Sequence, residues 1–360
     1  MKILILSNFA YPHVGGCEQL IQLLAQYLQV NYACICKIMN VFTEVASCVY
    51  NGVVIEKMSM VENNFIASIK KFNPDIIFVY ADNFIGLPFL LNNITKLPPL
   101  YIAPVGFNAS RKKVSLLKQI ISVSKYINFI PHSKQTIDFD ICRQHGFKNN
   151  IIPNAIDTEE FNQERVEKSF SLLCVANFFP GKGHDYLIDI IKQSRYRKDI
   201  ELNIFSSSKV PSSYNIMRFV DYSKKENINA KVHLDKHRTD VVNSYYSNSL
   251  FVFPSESEVF PLVILEAMAA GLPWVSFDVG NVIELRGGEV IGKKEKANNN
   301  LIPSIDDMHN MSKIIDDLLS DKEKRLTMGN DGKKQILEHY TLARIAGMYY
   351  QYFVSGFATI

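Results

Sequence analysis

Two glutamates with seven residues between them, Glu258 and Glu266, flank the start of an apolar run, Phe260 to Ala270, that stops at Gly271-Leu272-Pro273. The run reads as a helix, with a short buried strand before it at Leu250 to Pro254 and another after it from Trp274. A helix that starts in a polar loop at a strand's C-terminal edge presents free backbone N–H groups and the positive end of its dipole, a ready anion site. Positions eight apart lie about 80° from each other around a helix, so the two carboxylates do not share a face. Glu258 is expected in the loop, level with whatever rests on the helix end, and Glu266 about two turns deeper. Carboxylates spaced that way can hydrogen-bond two parts of one elongated ligand whose anionic middle sits on the helix N-terminus.

A nucleotide sugar has that shape: hydroxyls, diphosphate, hydroxyls. The stretch Pro254-Ser255-Glu256-Ser257-Glu258 … Leu265-Glu266-Ala267-Met268-Ala269-Ala270-Gly271-Leu272-Pro273 resembles the E-x7-E signature of retaining glycosyltransferases of the GT-B fold, especially family 4. The resemblance implies that Glu258 binds the donor hexose and Glu266 the ribose, while the backbone of Val259, Phe260, Pro261 and Leu262 holds the phosphates. One departure is local. The family usually has Gly-Phe-Gly after the first glutamate, and here stand Val259-Phe260-Pro261. Pro261 suits the first helical turn but donates no N–H, so one backbone contact cannot form there.

Further motifs extend the resemblance over both halves of the chain. Pro153-Asn154-Ala155-Ile156-Asp157 looks like the Pro-Asn-Gly-Val-Asp signature that opens the nucleotide-binding domain, with a turn-forming rather than catalytic role. Asn177 through Gly181-Lys182-Gly183 follows that domain's first strand, and a lysine between glycines suits a diphosphate. Lys182 matches a family phosphate cation; Asn177 stands where the family has an arginine. Gly15-Gly16-Cys17-Glu18 is similar to the family's Gly-Gly-x-Glu loop at a helix start, and is not a dinucleotide-binding Gly-x-Gly-x-x-Gly fingerprint. Ser206, in Ser206-Ser207-Ser208, either touches the donor or turns the chain. His237, in Asp235-Lys236-His237-Arg238, either packs on the donor base or belongs to a solvated charged turn. Many family members carry a histidine after the strand that corresponds to Leu100 to Val105. Here the residues are Pro104 to Asn108, and Asn108 is the nearest polar candidate. Asp138-Phe139-Asp140 is formally an Asp-x-Asp, read as the solvated face of a helix.

The elements that must position these residues alternate along the whole chain. Strand-like runs at Ile3, Ala33, Val53, Asp75, Leu100, Ile127 and Asn150, with helical patterns between, describe a first parallel α/β domain. A second starts afresh at Leu172 and continues near Leu202, Val232, Leu250, Trp274 and Val290. The expected division is 1–158 for the acceptor-binding domain, 159–340 for the nucleotide-sugar domain and 341–360 for a helix packing back on the first domain. Charged Glu159 to Ser169 is the candidate linker. At 360 residues two domains are the natural expectation, and 47% hydrophobic with 21% charged residues fits folded domains. A formal net charge of only +3 argues against a nucleic-acid partner. Six cysteines without metal-ligand spacing read as reduced thiols in a cytoplasmic protein. Only four apolar residues follow Lys2, too few for a signal peptide. Basic and apolar residues from Arg111 to Lys125 form either a core helix or a peripheral contact with the inner face of a membrane.

The fold class expected is thus α/β, GT-B, with two Rossmann-like doubly wound domains facing a cleft. The resemblance implies a metal-independent hexosyltransferase without a cofactor, with catalytic contributions from Lys182, Glu258 and Asn108. It further implies UDP-glucose as donor and a saccharide or lipid-linked acceptor, in polysaccharide or glycoconjugate synthesis. A nucleotide-sugar 2-epimerase of the same fold, or a degenerate sugar-nucleotide binder, are the other readings.

Overall fold

A computed structural model describes residues 1–11, 15–42, 46–81, 84–103, 111–207, 213–292 and 302–356, without the side chains of 111–116 and 213–214. The chain forms two compact units, one of Met1–Ala155 with Leu342–Ile360, the other of Ile156–Thr341. Each carries its own hydrophobic core.

The first unit runs β1 (Lys2–Ser7), α1 (Gly16–Tyr32), β2 (Ile35–Asn40), β3 (Ser47–Tyr50), β4 (Val53–Lys57), α2 (Glu62–Phe72), β5 (Ile76–Tyr80), α3 (Leu87–Asn92), β6 (Leu100–Ala103), α4 (Arg111–Val123), β7 (Ile127–Phe129) and α5 (Ile137–Gln144). Its sheet has the order β3-β4-β2-β1-β5-β6-β7, parallel except for β3. Strands covered on both faces read as continuous apolar runs, and Ile3, Leu4, Ile5 and Leu6 of the central β1 are fully buried. The sequence pattern misses β3, although its signal is present. Asn51 and Gly52 both have positive φ and join β3 to β4 in a tight hairpin, the backbone that an Asn-Gly pair favours. Asn150 to Pro153, expected as a strand, is irregular apart from single hydrogen bonds such as Ile152 N–H to Pro131 O (3.1 Å).

The second unit runs β8 (Ser171–Val175), α6 (His184–Lys192), β9 (Glu201–Ser206), α7 (Ser213–Lys225), β10 (Ala230–Leu234), α8 (Arg238–Ser247), β11 (Leu250–Phe253), α9 (Leu262–Ala269), β12 (Trp274–Phe277), β13 (Gly288–Ile291), α10 (Ile305–Ser320) and α11 (Lys322–Gln335). Its strand order, β10-β9-β8-β11-β12-β13, is all parallel. Helix α10 starts at Ile305, where Ser304 and Asp307 form a reciprocal capping box. The charged segment Glu159 to Ser169 is no free linker: it is fastened to the second unit. Phe161 is buried, Arg165 donates to Tyr245 O and Asn248 O, and Glu167 pairs with buried Arg325 at 2.6 Å.

Helix α12 (Leu342–Ser355) belongs to the first unit and packs along α1. Tyr349 and Phe353 meet Phe78 of β5, and Phe353 stands edge-on to Tyr101 of β6. On α4, Ile120 is buried and Leu117 packs on the same core. Among the described residues no helix is long and apolar enough to cross a membrane. Asp138 on α5 corrects the solvated reading of the Asp-x-Asp: it is 2% exposed, and only Asp140 reaches solvent, beside Arg143.

Because Phe353 is fully buried in the first unit, Phe353→Ala should cost about 3–5 kcal/mol there. The only tryptophan, Trp274, reports on the second unit alone. Urea unfolding should therefore show an earlier circular-dichroism transition with an unchanged Trp274 fluorescence midpoint. An equal shift of both signals would contradict the assignment.

Candidate functional site

Strand order reverses between β8 and β11, and in open parallel sheets ligands bind at the carboxyl ends of strands flanking such a reversal. The loops after these two strands carry Asn177 to Gly183 and Pro254 to Pro261. They are locked together through backbone. Glu256 N–H donates to Gly181 O at 2.7 Å, and Ser255 Oγ donates to the same oxygen at 3.3 Å. Gly183 has φ +70°, and a Cβ there would overlap Pro254 O. Only glycine permits this approach. The contact brings Lys182 Nζ to Glu258 Oε1 at 2.5 Å, and Ser255 Oγ donates to that oxygen at 2.9 Å.

Behind the loop, His184 opens α6 and stacks on Phe178 with ring centroids 4.0 Å apart. Burial holds its pKa down at about 4, against the opposing hydrogen bond to Ala176 O. His184 is neutral near pH 7 and packs rather than titrates. Asn177 Oδ1 accepts Ser207 N–H at 2.9 Å, which ties the loop after β8 to the loop after β9. Its amide is thus engaged in the protein where a family arginine would carry charge.

Helix α9 starts at Leu262, two residues later than the apolar run suggests. Pro261 is its N-cap, not part of its first turn. Ile264 N–H and Leu265 N–H bond back to Pro261 O, leaving Leu262 N–H and Val263 N–H without an intrahelical acceptor. Phe260 is buried edge-on to Tyr340, and Gly280 packs directly beneath Val259 O. The start of α9 itself, Val259 to Val263, presents backbone N–H groups and no polar side chain.

Glu266 lies one turn into α9 rather than two turns deep, and is 6% exposed. Arg238 Nη1 meets its Oε1 at 2.7 Å, and Tyr245 donates its hydroxyl to Oε2 at 2.6 Å. Arg238 also forks onto Glu160, through Nη2 at 2.8 Å and Nε at 3.2 Å. Burial and then the Glu266 charge push the Tyr245 pKa well above its ordinary value. Burial opposes the charge of Arg238, but Glu266 and Glu160 hold its pKa above the usual arginine range.

The remaining expected residues are spread more widely. Ser206 ends β9 and donates its hydroxyl to Ser207 O at 3.4 Å. His237 is the exposed N-cap of α8 and makes no side-chain capping bond. In the first unit Gly15 is the N-cap of α1 and Gly16 its first residue, with the Glu18 carboxylate folded back over Gly15. Asn108 lies outside the described residues. So the structure brings Lys182, Glu258, Val259 to Leu262 and Glu266 to one edge of the second unit, with Asn177 on the adjoining loop. Sequence reasoning missed Tyr245 and Glu160 as partners of this site. No group of three or more potential metal ligands occurs among the described residues.

Sequence and fold comparisons agree with this architecture. The family model for glycosyl transferases group 1 matches residues 155–335, and the chain belongs to that family. An uncharacterized glycosyltransferase of Haemophilus influenzae is 28% identical over 207 residues, covering 56% of this chain and 55% of the relative. An Escherichia coli UDP-Gal:alpha-D-GlcNAc-diphosphoundecaprenol alpha-1,3-galactosyltransferase is 26% identical over 174 residues, 44% of this chain and 43% of that one. The chain thus spans about half the length of the curated relatives it matches. Sucrose-phosphate synthase from Thermosynechococcus elongatus superimposes with a TM-score of 0.83 at 16% identity, over 100% of both chains. HepE of Anabaena, solved with UDP-glucose, gives 0.75 at 16% identity, again over 100% of both. The fold is GT-B, with two Rossmann-like units.

Gly183→Ala adds a methyl where the φ is left-handed and Pro254 O already stands. We expect a loss of about 1–3 kcal/mol in the Trp274 unfolding transition, since the Lys182 loop must lift off. Wild-type stability in this variant would show that the two loops are not locked.

Proposed function

We propose that the chain is a retaining glycosyltransferase of the family 4 type that moves a hexose, glucose from UDP-glucose, to a saccharide or lipid-linked acceptor. Synthesis of a polysaccharide or glycoconjugate from cytoplasmic nucleotide sugars is the context this assigns. The observation that carries the reading is the meeting of Lys182 and Glu258 beside the open N-terminus of α9. Positive charge there lies where the diphosphate gains negative charge as the glycosidic bond breaks. Lys182 and the amides of Leu262 and Val263 stabilise the departing diphosphate; Glu258 orients hexose hydroxyls; Glu266 accepts from the ribose. The acceptor hydroxyl attacks the anomeric carbon on the face the diphosphate leaves, the bond to the diphosphate breaks, and the hydroxyl proton passes to the departing diphosphate oxygen as the new bond forms. Donor binding exchanges the Lys182–Glu258 contact for one between Lys182 and phosphate. These groups neutralise the diphosphate without a metal ion, so EDTA should leave turnover intact.

The likeness to HepE solved with UDP-glucose and to a UDP-Gal-dependent relative supports a uridine donor. A neutral hexose fits better than a uronic acid, because Glu258 on Lys182 and Glu256 against Gly181 repel a sugar carboxylate. One observation favours a weaker activity. Asn177 is bonded to Ser207 N–H and supplies no second cation, as in a binder that has lost turnover.

Incubation with UDP-glucose should release UDP slowly into water and, with an acceptor, yield an α-linked product by its anomeric NMR signal. Lys182→Ala should lower kcat at least about tenfold while UDP affinity changes less. A β-linked product would sink the retaining assignment, and binding of UDP-glucose without any release of UDP would favour the degenerate reading.

A further inference from the structure

The Glu266 carboxylate is the most heavily braced group at the site. A carboxylate has about four lone-pair positions; Tyr245 and Arg238 take one each, from opposite oxygens, leaving two for a ligand. Tyr245 is fully buried, with its hydroxyl directed at Oε2. Arg238 is anchored in turn. Its Nε and Nη2 grip Glu160, and its guanidinium lies 5.7 Å from the Phe161 ring centre. Three nitrogens of one planar group are therefore used across two carboxylates, a task for which a lysine ammonium has no geometry.

We propose that Arg238 is a positioning residue for nucleoside recognition: it fixes the rotamer of Glu266 so that the free lone pairs accept from a ribose diol. Glu160 sets Arg238 in turn. Recognition of the ribose is thus distributed over the segment before β8, the start of α8 and the first turns of α9. This rests on the assignment of Glu266 to the ribose made above. A side chain that merely filled space would not change which sugar of the nucleotide is preferred; a positioning residue would.

The test compares the affinities of UDP and 2′,3′-dideoxy-UDP by calorimetry, in the full chain. Wild type should prefer UDP by about tenfold or more, the worth of a charge-assisted hydrogen bond. Arg238→Gln should bring UDP down towards the dideoxy nucleotide, whose own affinity stays within twofold. Glu160→Gln, which touches Arg238 but not Glu266, should narrow the preference two- to threefold and keeps the question open to test if Arg238→Gln unfolds. Retention of the full preference in both variants would overturn the proposal. So would an equal loss of both nucleotides, which would mean that Arg238 touches base or phosphate itself. A wild type that binds both alike would instead overturn the ribose assignment, and the inference with it.

Discussion

The backbone of Gly183 lies against the carbonyl of Pro254, and the candidate site depends on that contact. Two loops that leave neighbouring parallel strands would otherwise diverge over the sheet edge. Removal of one side chain lets them touch, and hydrogen bonds from Glu256 N–H and Ser255 Oγ to Gly181 O hold them. Everything polar nearby follows from this. Lys182 is carried to Glu258, Glu258 is held at the start of α9, and the helix amides open onto the same corner. The topology explains why the contact falls here: β8 and β11 are the pair at which strand order turns back.

In this unit Glu256, Glu258 and Glu266, the glutamates around the start of α9, are each partnered. Glu258 has Lys182 and Ser255, Glu256 has Tyr186, and Glu266 has Arg238 and Tyr245. The cost of withdrawing a charge from water is met by a partner in each case. Such pairs hold each carboxylate in one orientation. Histidine takes the opposite course: His184 here and His132 in the first unit, both buried, are held to pKa values of about 4 and stay neutral.

Much of this was legible in the sequence, for a physical reason. Alternating strand and helix patterns fix a parallel α/β architecture, and Lys182, Glu258 and Glu266 stand in local motifs whose spacing is itself the signal. What was not legible depends on contacts between distant parts of the chain. Tyr245 lies 21 residues from Glu266, and Arg238 lies 78 from Glu160; nothing local announces either partner. Glu159 to Ser169 looked like a linker because its charges show no periodicity, yet Glu160, Arg165 and Glu167 each meet a partner that only folding supplies. Asp138 looked solvated on the same grounds and is buried. The missed strand β3 is different, since Asn51-Gly52 is a local turn signal that could have found it.

Ile156 donates its N–H to Tyr340 O at 2.8 Å and bridges Thr341. These residues are the two ends of the second unit, so the chain enters and leaves that unit at hydrogen-bonded neighbours. A module whose ends touch is an inserted cassette: it interrupts its host between Ala155 and Leu342 without spreading the host's own chain apart. Exchange of the segment at its two junctions, after Ala155 and before Leu342, would leave every strand of the first unit's seven-stranded sheet in place. Each unit closes its own core and sheet from its own residues, so neither has to borrow a strand from the other.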